Sequence, residues 1–229
     1  MVIMGLQKTT LLDFPGNVAC TIFTGGCNFR CPFCHNASLV LALNMKEMIT
    51  EPELFAFLYK RKSILDGVCI TGGEPLLQND IEAFIRSIKE MGYKVKLDTN
   101  GSYPEKLENL IALGLIDYVA MDIKNSKEKY SETCGTDIEV DKINKSISLL
   151  INGSIPYEFR TTVVRELHTA QDIVDISLWI KGASRYYLQS FVDSGNVISD
   201  SLSAYSPEEM HKLLDLARKN LSCTELRGI

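Results

Sequence analysis

Apolar residues along this chain keep two alternating rhythms. Short runs rich in β-branched and aromatic residues read as strands: NVACTIFT (17–24), GVCIT (67–71), YKVKLD (93–98), DYVAMDI (117–123), YEFRTTVV (157–164) and RYYLQSFV (185–192). Between them the apolar positions recur every third or fourth residue, as on one face of a helix. Ile81, Phe84, Ile85 and Ile88 keep that spacing up to Gly92, and Leu107, Leu110 and Ile111 keep it up to Gly114. Further helices fit residues 141–151 and 173–180, the latter placing Trp179 with Ile173 and Ile176 on a core face.

Helix starts are marked by polar residues that cap free backbone N–H groups. Thr50 with Glu53, around Pro52, forms a capping-box pattern ahead of LFAFL, and Ser206-Pro207-Glu208-Glu209 repeats it before the last helix. The terminal CTELRG (223–228) reads as one more short strand at most.

Strand and helix thus alternate about six times, which implies an α/β fold with a parallel sheet closed or partly closed into a barrel. A full eightfold barrel takes about 250 residues. The chain has 229, so six units fit, a partial (β/α)6 TIM-like barrel. No linker divides it, so 1–229 reads as one domain, with the polar stretch 193–206 a connection rather than a boundary.

Composition narrows the function classes. The chain is 45% hydrophobic and 23% charged, ordinary for a globular domain. It has no apolar run of about 18 residues and no basic-then-apolar leader, so a cytoplasmic location is expected, with no membrane partner. A net charge of −5 without a Lys/Arg block argues against nucleic acid. Seven cysteines in such a chain point to reduced thiols or metal ligands rather than a disulfide framework.

The polar motifs sit where the strands end, the edge on which such folds collect their chemistry. Successive strands lead into GGCNFRCPFCHN (25–36), TGGEP (71–75), DTNG (98–101) and MDIK (121–124), and the last two carry Arg160 and Gln189. Cys27, Cys31 and Cys34 supply three thiolates in eight positions, suited to an iron–sulfur cluster or zinc. A zinc site would be completed by His35 or a distant cysteine. Three thiolates on a four-iron cluster leave one iron open to a ligand. Asp98 and Asp122 end neighbouring strands, where two carboxylates raise a pKa or bind a cation, an N-cap aspartate and a salt bridge to Lys124 being the plain alternative. Cys20 and Cys69 fall in apolar strands and read as buried small hydrophobes, whereas Cys134 and Cys223 have no close partner in sequence. His168 and His211 read as surface residues.

CxxxCxxC with an aromatic before its last cysteine (Cys27, Cys31, Phe33, Cys34) resembles the signature of the radical S-adenosylmethionine (SAM) superfamily. GGEP is similar to that superfamily's motif for the SAM amino group, and LDTNG and MDIK resemble the activases of glycyl-radical enzymes. The opening segment GLQKTTLLDFPGNVACTIFTGGCNFRCPFCHN resembles the anaerobic ribonucleoside-triphosphate reductase activating proteins. The resemblance covers nearly the whole chain and implies the radical SAM fold, an oxidoreductase activity and two cofactors, a [4Fe-4S] cluster and SAM.

It further implies roles for particular residues. Cys27, Cys31 and Cys34 would hold the cluster, while Phe33, Gly72, Gly73, Glu74, Lys124, Arg160 and Gln189 would contact SAM. Gln189 departs from related activases, which carry histidine nearby. Asp98, Thr99, Ala120 and Asp122 would form a candidate monovalent-cation site, as in pyruvate formate-lyase activators. No catalytic side chain is singled out. The partners implied are a glycyl-radical enzyme, first the anaerobic reductase, and a flavodoxin or ferredoxin-like reductant. The alternatives are activation of another glycyl-radical enzyme of the pyruvate formate-lyase type, and a radical SAM enzyme acting on a small molecule; an electron carrier or metal-binding regulator is a different class. As an activase it would act on a peptide loop, with the 193–206 stretch lining the groove that receives it.

Overall fold

The computed structural model describes every residue of 1–229 except Ala42 and Ser194, together with all side chains but that of Met45 among the others. The chain folds into two compact units of interleaved segments. The first is made of 1–28, 38–99 and 103–119, and the second of 29–37, 100–102 and 120–229.

The first unit holds β1 (Ile3–Thr10), β2 (Ala19–Thr24), most of α1 (Ala37–Leu41), α2 (Glu51–Arg61), β3 (Gly67–Gly72), α3 (Ile81–Glu90), β4 (Lys94–Thr99) and α4 (Pro104–Ala112). Here β2, β3 and β4 run parallel, with Ile22 opposite Ile70 and Ile70 opposite Leu97, all three fully buried. α3 presents Ile81, Phe84, Ile85 and Ile88 to the core as its spacing predicts. α2 begins in the capping box of Thr50 and Glu53, which satisfies backbone N–H groups that the helix itself leaves free.

The second unit follows β5 (Tyr118–Asp122), whose first two residues belong to the first unit. It contains α5 (Tyr130–Cys134), α6 (Val140–Asn152), β6 (Tyr157–Val163), α7 (Ala170–Trp179), β7 (Tyr186–Ser190), α8 (Pro207–Arg218) and β8 (Thr224–Arg227). β6, β7 and β8 are parallel, with Phe159 beside Tyr186 and Leu188 beside Leu226. Ser206 and Glu209 close the capping box at the start of α8, with Pro207 at its first turn.

The α/β fold with a mainly parallel sheet agrees with the sequence pattern, but eight strands are described where six were expected. β8 is the short terminal strand. β1 is a real addition, paired antiparallel to β2 with Gln7 opposite Thr21. Its sequence IMGLQKTT lacks period-two alternation, because Gln7, Lys8 and Thr9 stand exposed and only its ends are buried.

Two burial readings also change. His168 is fully buried rather than superficial. Its Nε2–H donates to the Lys124 carbonyl at 2.8 Å and its Nδ1 accepts from the Val164 N–H at 3.1 Å, so the ring is held neutral by two backbone partners. Trp179 is half-buried. It packs edge-on to Tyr130 and its indole N–H donates to Asn144 Oδ1 at 3.0 Å.

Candidate functional site

In the first unit, the chain leaves β2 through Gly25 and Gly26 and reaches Cys27, a half-buried thiol in no disulfide. The end of β3 packs directly against that exit. The Gly73 N–H donates to the Thr24 carbonyl at 2.9 Å and the Glu74 N–H to the Gly26 carbonyl at 2.8 Å. Gly72 has φ +116, and a Cβ there would lie 2.3 Å from the Thr24 nitrogen. The two glycines therefore let one turn of backbone rest on another, an approach that any side chain prevents.

Glu74 is fully buried, and its Oε1 accepts from the Leu76 N–H at 3.0 Å and the Thr99 hydroxyl at 2.8 Å. This joins two residues named from the sequence, Glu74 and Thr99. The next neighbour carries no mark in the sequence. Lys96, only 2% exposed, is paired with the Asp98 carboxylate, and its Nζ lies 3.8 Å from Cys69 Sγ. The Cys69 thiol also points to Asp98 Oδ1 at 3.7 Å. In strand alternation Lys96 and Asp98 share one face of β4, where a lysine is not expected inside a core.

In the second unit, Cys31 and Cys34 lie on one turn, the Cys34 N–H donating to the Cys31 carbonyl at 3.0 Å. Phe33 is buried between His168, its ring centroid 6.4 Å away, and the Lys124 ammonium, 5.8 Å from its centroid. Asp122 ends β5 between two cations: Oδ2 accepts from Lys124 Nζ at 3.0 Å and Oδ1 from Arg160 Nε at 2.9 Å. Burial would raise its carboxyl, but Arg160 and then Lys124 hold it down at about 2. Burial likewise works against the Lys124 charge, and Asp122 more than offsets it, so that ammonium is raised above its ordinary value. Ala120 is fully buried in β5, and Gln189 is half-buried in β7 opposite Thr162.

Cys134 corrects the sequence reading, since it has a partner. Its thiol hydrogen-bonds to Cys31. That contact leads the causes that lower the Cys31 pKa, burial opposing it and the Lys124 charge adding to it. The polar stretch 193–206, of which Ser194 lies outside the described residues, is also fastened in this unit. The Ser199 N–H donates to the Pro32 carbonyl at 2.9 Å, on the cysteine loop itself, and Ser203 is hydrogen-bonded through its N–H to Glu166 at 2.8 Å.

The donor set suits an iron–sulfur cluster in its chemistry: Cys27, Cys31 and Cys34 are all thiols outside any disulfide, two in a turn and one behind a glycine pair. Among the described residues no three His, Cys, Asp or Glu side chains gather as around a single ion.

The family model described as the radical SAM superfamily matches residues 21–180. The chain belongs to that superfamily. A candidate glycyl-radical enzyme activating enzyme of Methanocaldococcus jannaschii is 36% identical, covering 99% of this chain and 96% of its own. The pyruvate formate-lyase-activating enzyme of Clostridium pasteurianum is 33% identical over 54% of this chain and 52% of its own. Within the radical SAM superfamily this is a member of the glycyl-radical enzyme activating enzymes, whose cofactors are a [4Fe-4S] cluster and SAM. Among solved structures, Streptococcus suis SuiB bound to S-adenosylmethionine superposes with a TM-score of 0.67 at 15% identity, covering 89% of this chain and 48% of SuiB. At that identity the likeness is one of fold, and it agrees with the α/β architecture described above. Among the described residues no helix is long and apolar enough to cross a membrane.

Proposed function

We propose that this radical SAM protein installs a glycyl radical on anaerobic ribonucleoside-triphosphate reductase. The observation that carries the choice of partner is the opening segment 5–36, with its resemblance to that reductase's activating proteins. In this reading residues 1–229 work as one radical SAM domain in the cytoplasm, reduced by a flavodoxin or ferredoxin-like protein.

Cys27, Cys31 and Cys34 would hold the cluster by their thiolates, with SAM bound beside it. When bound, cluster and SAM together supply the event no side chain can, a reductive carbon–sulfur cleavage that yields a hydrogen-abstracting radical. The chain's own task is to position and to exclude water. The Gly72–Gly73 backbone and Glu74 receive the SAM ammonium, since glycines admit close approach and a carboxylate complements the charge. Lys124 and Arg160 face the SAM carboxylate and ribose, Gln189 the adenosine, and Phe33 is a further contact of SAM. Asp98, Thr99, Ala120 and Asp122 take a monovalent cation beside SAM. Both aspartates already lie against cations of the chain, Lys96 for the first and Lys124 with Arg160 for the second. The substrate is a glycine-bearing loop of the reductase, a segment that enters a narrow site without side-chain clash.

A second reading, activation of a pyruvate formate-lyase type enzyme, is favoured by the Clostridium pasteurianum relative. The test is electron paramagnetic resonance after mixing the reduced, reconstituted protein with SAM and purified anaerobic reductase. A glycyl doublet on the reductase is expected. SAM cleavage without that doublet, and with one on a pyruvate formate-lyase type enzyme, replaces the first reading by the second. Cleavage with no protein radical on either points to a small-molecule substrate.

A further inference from the structure

Cys134 is the last residue of α5, far along the chain from the cysteine motif, yet the fold sets it on Cys31. The Arg30 N–H donates to the Cys134 carbonyl at 2.8 Å. The next residue, Gly135, turns with φ +62 so close beneath the Arg30 carbonyl that a Cβ there would lie 2.5 Å from its oxygen. Backbone contacts on both sides thus clamp residues 30–31 against 134–135, and between them the two thiols are hydrogen-bonded. Cys134 is fully buried and Cys31 only 6% exposed.

From this contact we propose that Cys31 and Cys134 are a redox-sensitive thiol pair, which a peroxide joins as a disulfide when the cluster is absent. The Cys31 sulfur, beside the Lys124 ammonium, attacks one peroxide oxygen, the O–O bond breaks, and a sulfenic acid and hydroxide result. The Cys134 sulfur then attacks the Cys31 sulfur; the S–S bond forms, the S–O bond breaks, and water leaves with the thiol proton. In sum two thiols are oxidised and hydrogen peroxide is reduced to two waters. The disulfide removes Cys31 from the motif, so iron enters only after a thiol reductant reopens the pair. The pairing goes beyond the proposed activity, and no partner enzyme enters its test.

The full-length protein is stripped of iron with a chelator, treated with one equivalent of hydrogen peroxide, digested without reductant and sequenced by tandem mass spectrometry. The expected product has lost the mass of two hydrogens, carries a Cys31–Cys134 cross-link, and regains both hydrogens with dithiothreitol. The Cys34→Ser variant retains the cross-link, and Cys134→Ser loses it. A cross-link of Cys31 to Cys34 or Cys27, or accumulation of Cys31 sulfinic acid in the wild-type protein, overturns the proposal. Because the wild-type map alone decides between these products, a poorly folding variant does not rescue it.

Discussion

Gly73 lies so near Gly26 that a methyl group on its Cα would stand 1.9 Å from the Gly26 carbonyl oxygen. The same oxygen accepts the Glu74 N–H at 2.8 Å, so the turn after β3 and the entry to the cysteine loop meet backbone to backbone. Gly73→Ala must push rigid peptide apart rather than a flexible side chain. Overpacking of this kind costs about 1–3 kcal/mol. Urea unfolding is expected to show the upper end of that range, about 3 kcal/mol, for Gly73→Ala, and about 1 kcal/mol for Gly16→Ala, which meets nothing within 4 Å and bears only its left-handed backbone. Equal losses in the two variants would mean that the contact is relaxed in solution.

Cys31→Ala is expected to take up little iron on anaerobic reconstitution and to cleave no SAM. Cys20→Ala serves as the control, because Cys20 is fully buried within β2 and burial pushes its thiol up to about 12, which keeps it protonated. Iron and sulfide assays with a SAM-cleavage measurement decide the matter. Full iron content in Cys31→Ala removes that residue from the cluster.

Asp122 predicts an acid limb in stability. Its folded carboxyl is depressed to about 2 by Arg160 and Lys124 against the opposing effect of burial. A depressed carboxyl stabilises the fold fully above its unfolded pKa of about 3.9 and loses that contribution as pH falls toward 2. With the side chain 32% exposed, solvent screening reduces the contribution to about 1–2 kcal/mol. Urea midpoints of the wild-type protein and Asp122→Asn should differ at pH 7 and converge near pH 2. A constant difference across that range contradicts the linkage.

Asp122→Asn and Arg160→Met also test the SAM side. Each is expected to weaken SAM binding to the reconstituted protein by roughly tenfold, Arg160→Met by losing a charge-assisted hydrogen bond to SAM and Asp122→Asn by losing the cation beside it, while iron content stays unchanged. Calorimetric titration with SAM, in potassium and in sodium salts, reads both effects. Wild-type affinity in Asp122→Asn, with no response to either cation, leaves Asp122 a purely structural partner of Lys124 and Arg160.

Lys96→Met is expected to cost about 3 kcal/mol, because it takes the ammonium from a largely buried carboxylate, Asp98 being only 14% exposed. The double variant Lys96→Met/Asp98→Leu should recover much of that loss, as a buried ion pair exchanged for apolar groups often does. Thermal unfolding of the two variants measures it. A double variant less stable than Lys96→Met alone shows that Asp98 has gained another support.

Much of this protein follows from local rules that a sequence carries openly. The β-branched runs became β2 to β7, the spacing of Ile81, Phe84, Ile85 and Ile88 became the buried face of α3, and the Thr50–Glu53 and Ser206–Glu209 patterns became capping boxes. Each depends on residues within a few positions of one another, where period and hydrogen-bonding reach decide the outcome. The cysteine spacing and the glycine pair were legible for the same reason, because the chemistry they offer is contained in one short stretch. β1 was not legible, because its pairing with β2 supplies the regularity that its own alternation lacks.

What the tertiary structure decided are meetings between segments that carry no mark of each other. Nothing around Cys134 points to Cys31, nothing in KVKLD says that the second lysine faces inward to Asp98, and nothing in RELHTA says that His168 is sealed against the Lys124 carbonyl. The physical reason is common to all three. A hydrophobic period states which face of a segment is turned inward, and burial then demands partners for whatever polar atoms that face carries. Which partners they find depends on the packing of strands and helices far apart in the chain, and only the folded protein brings those together.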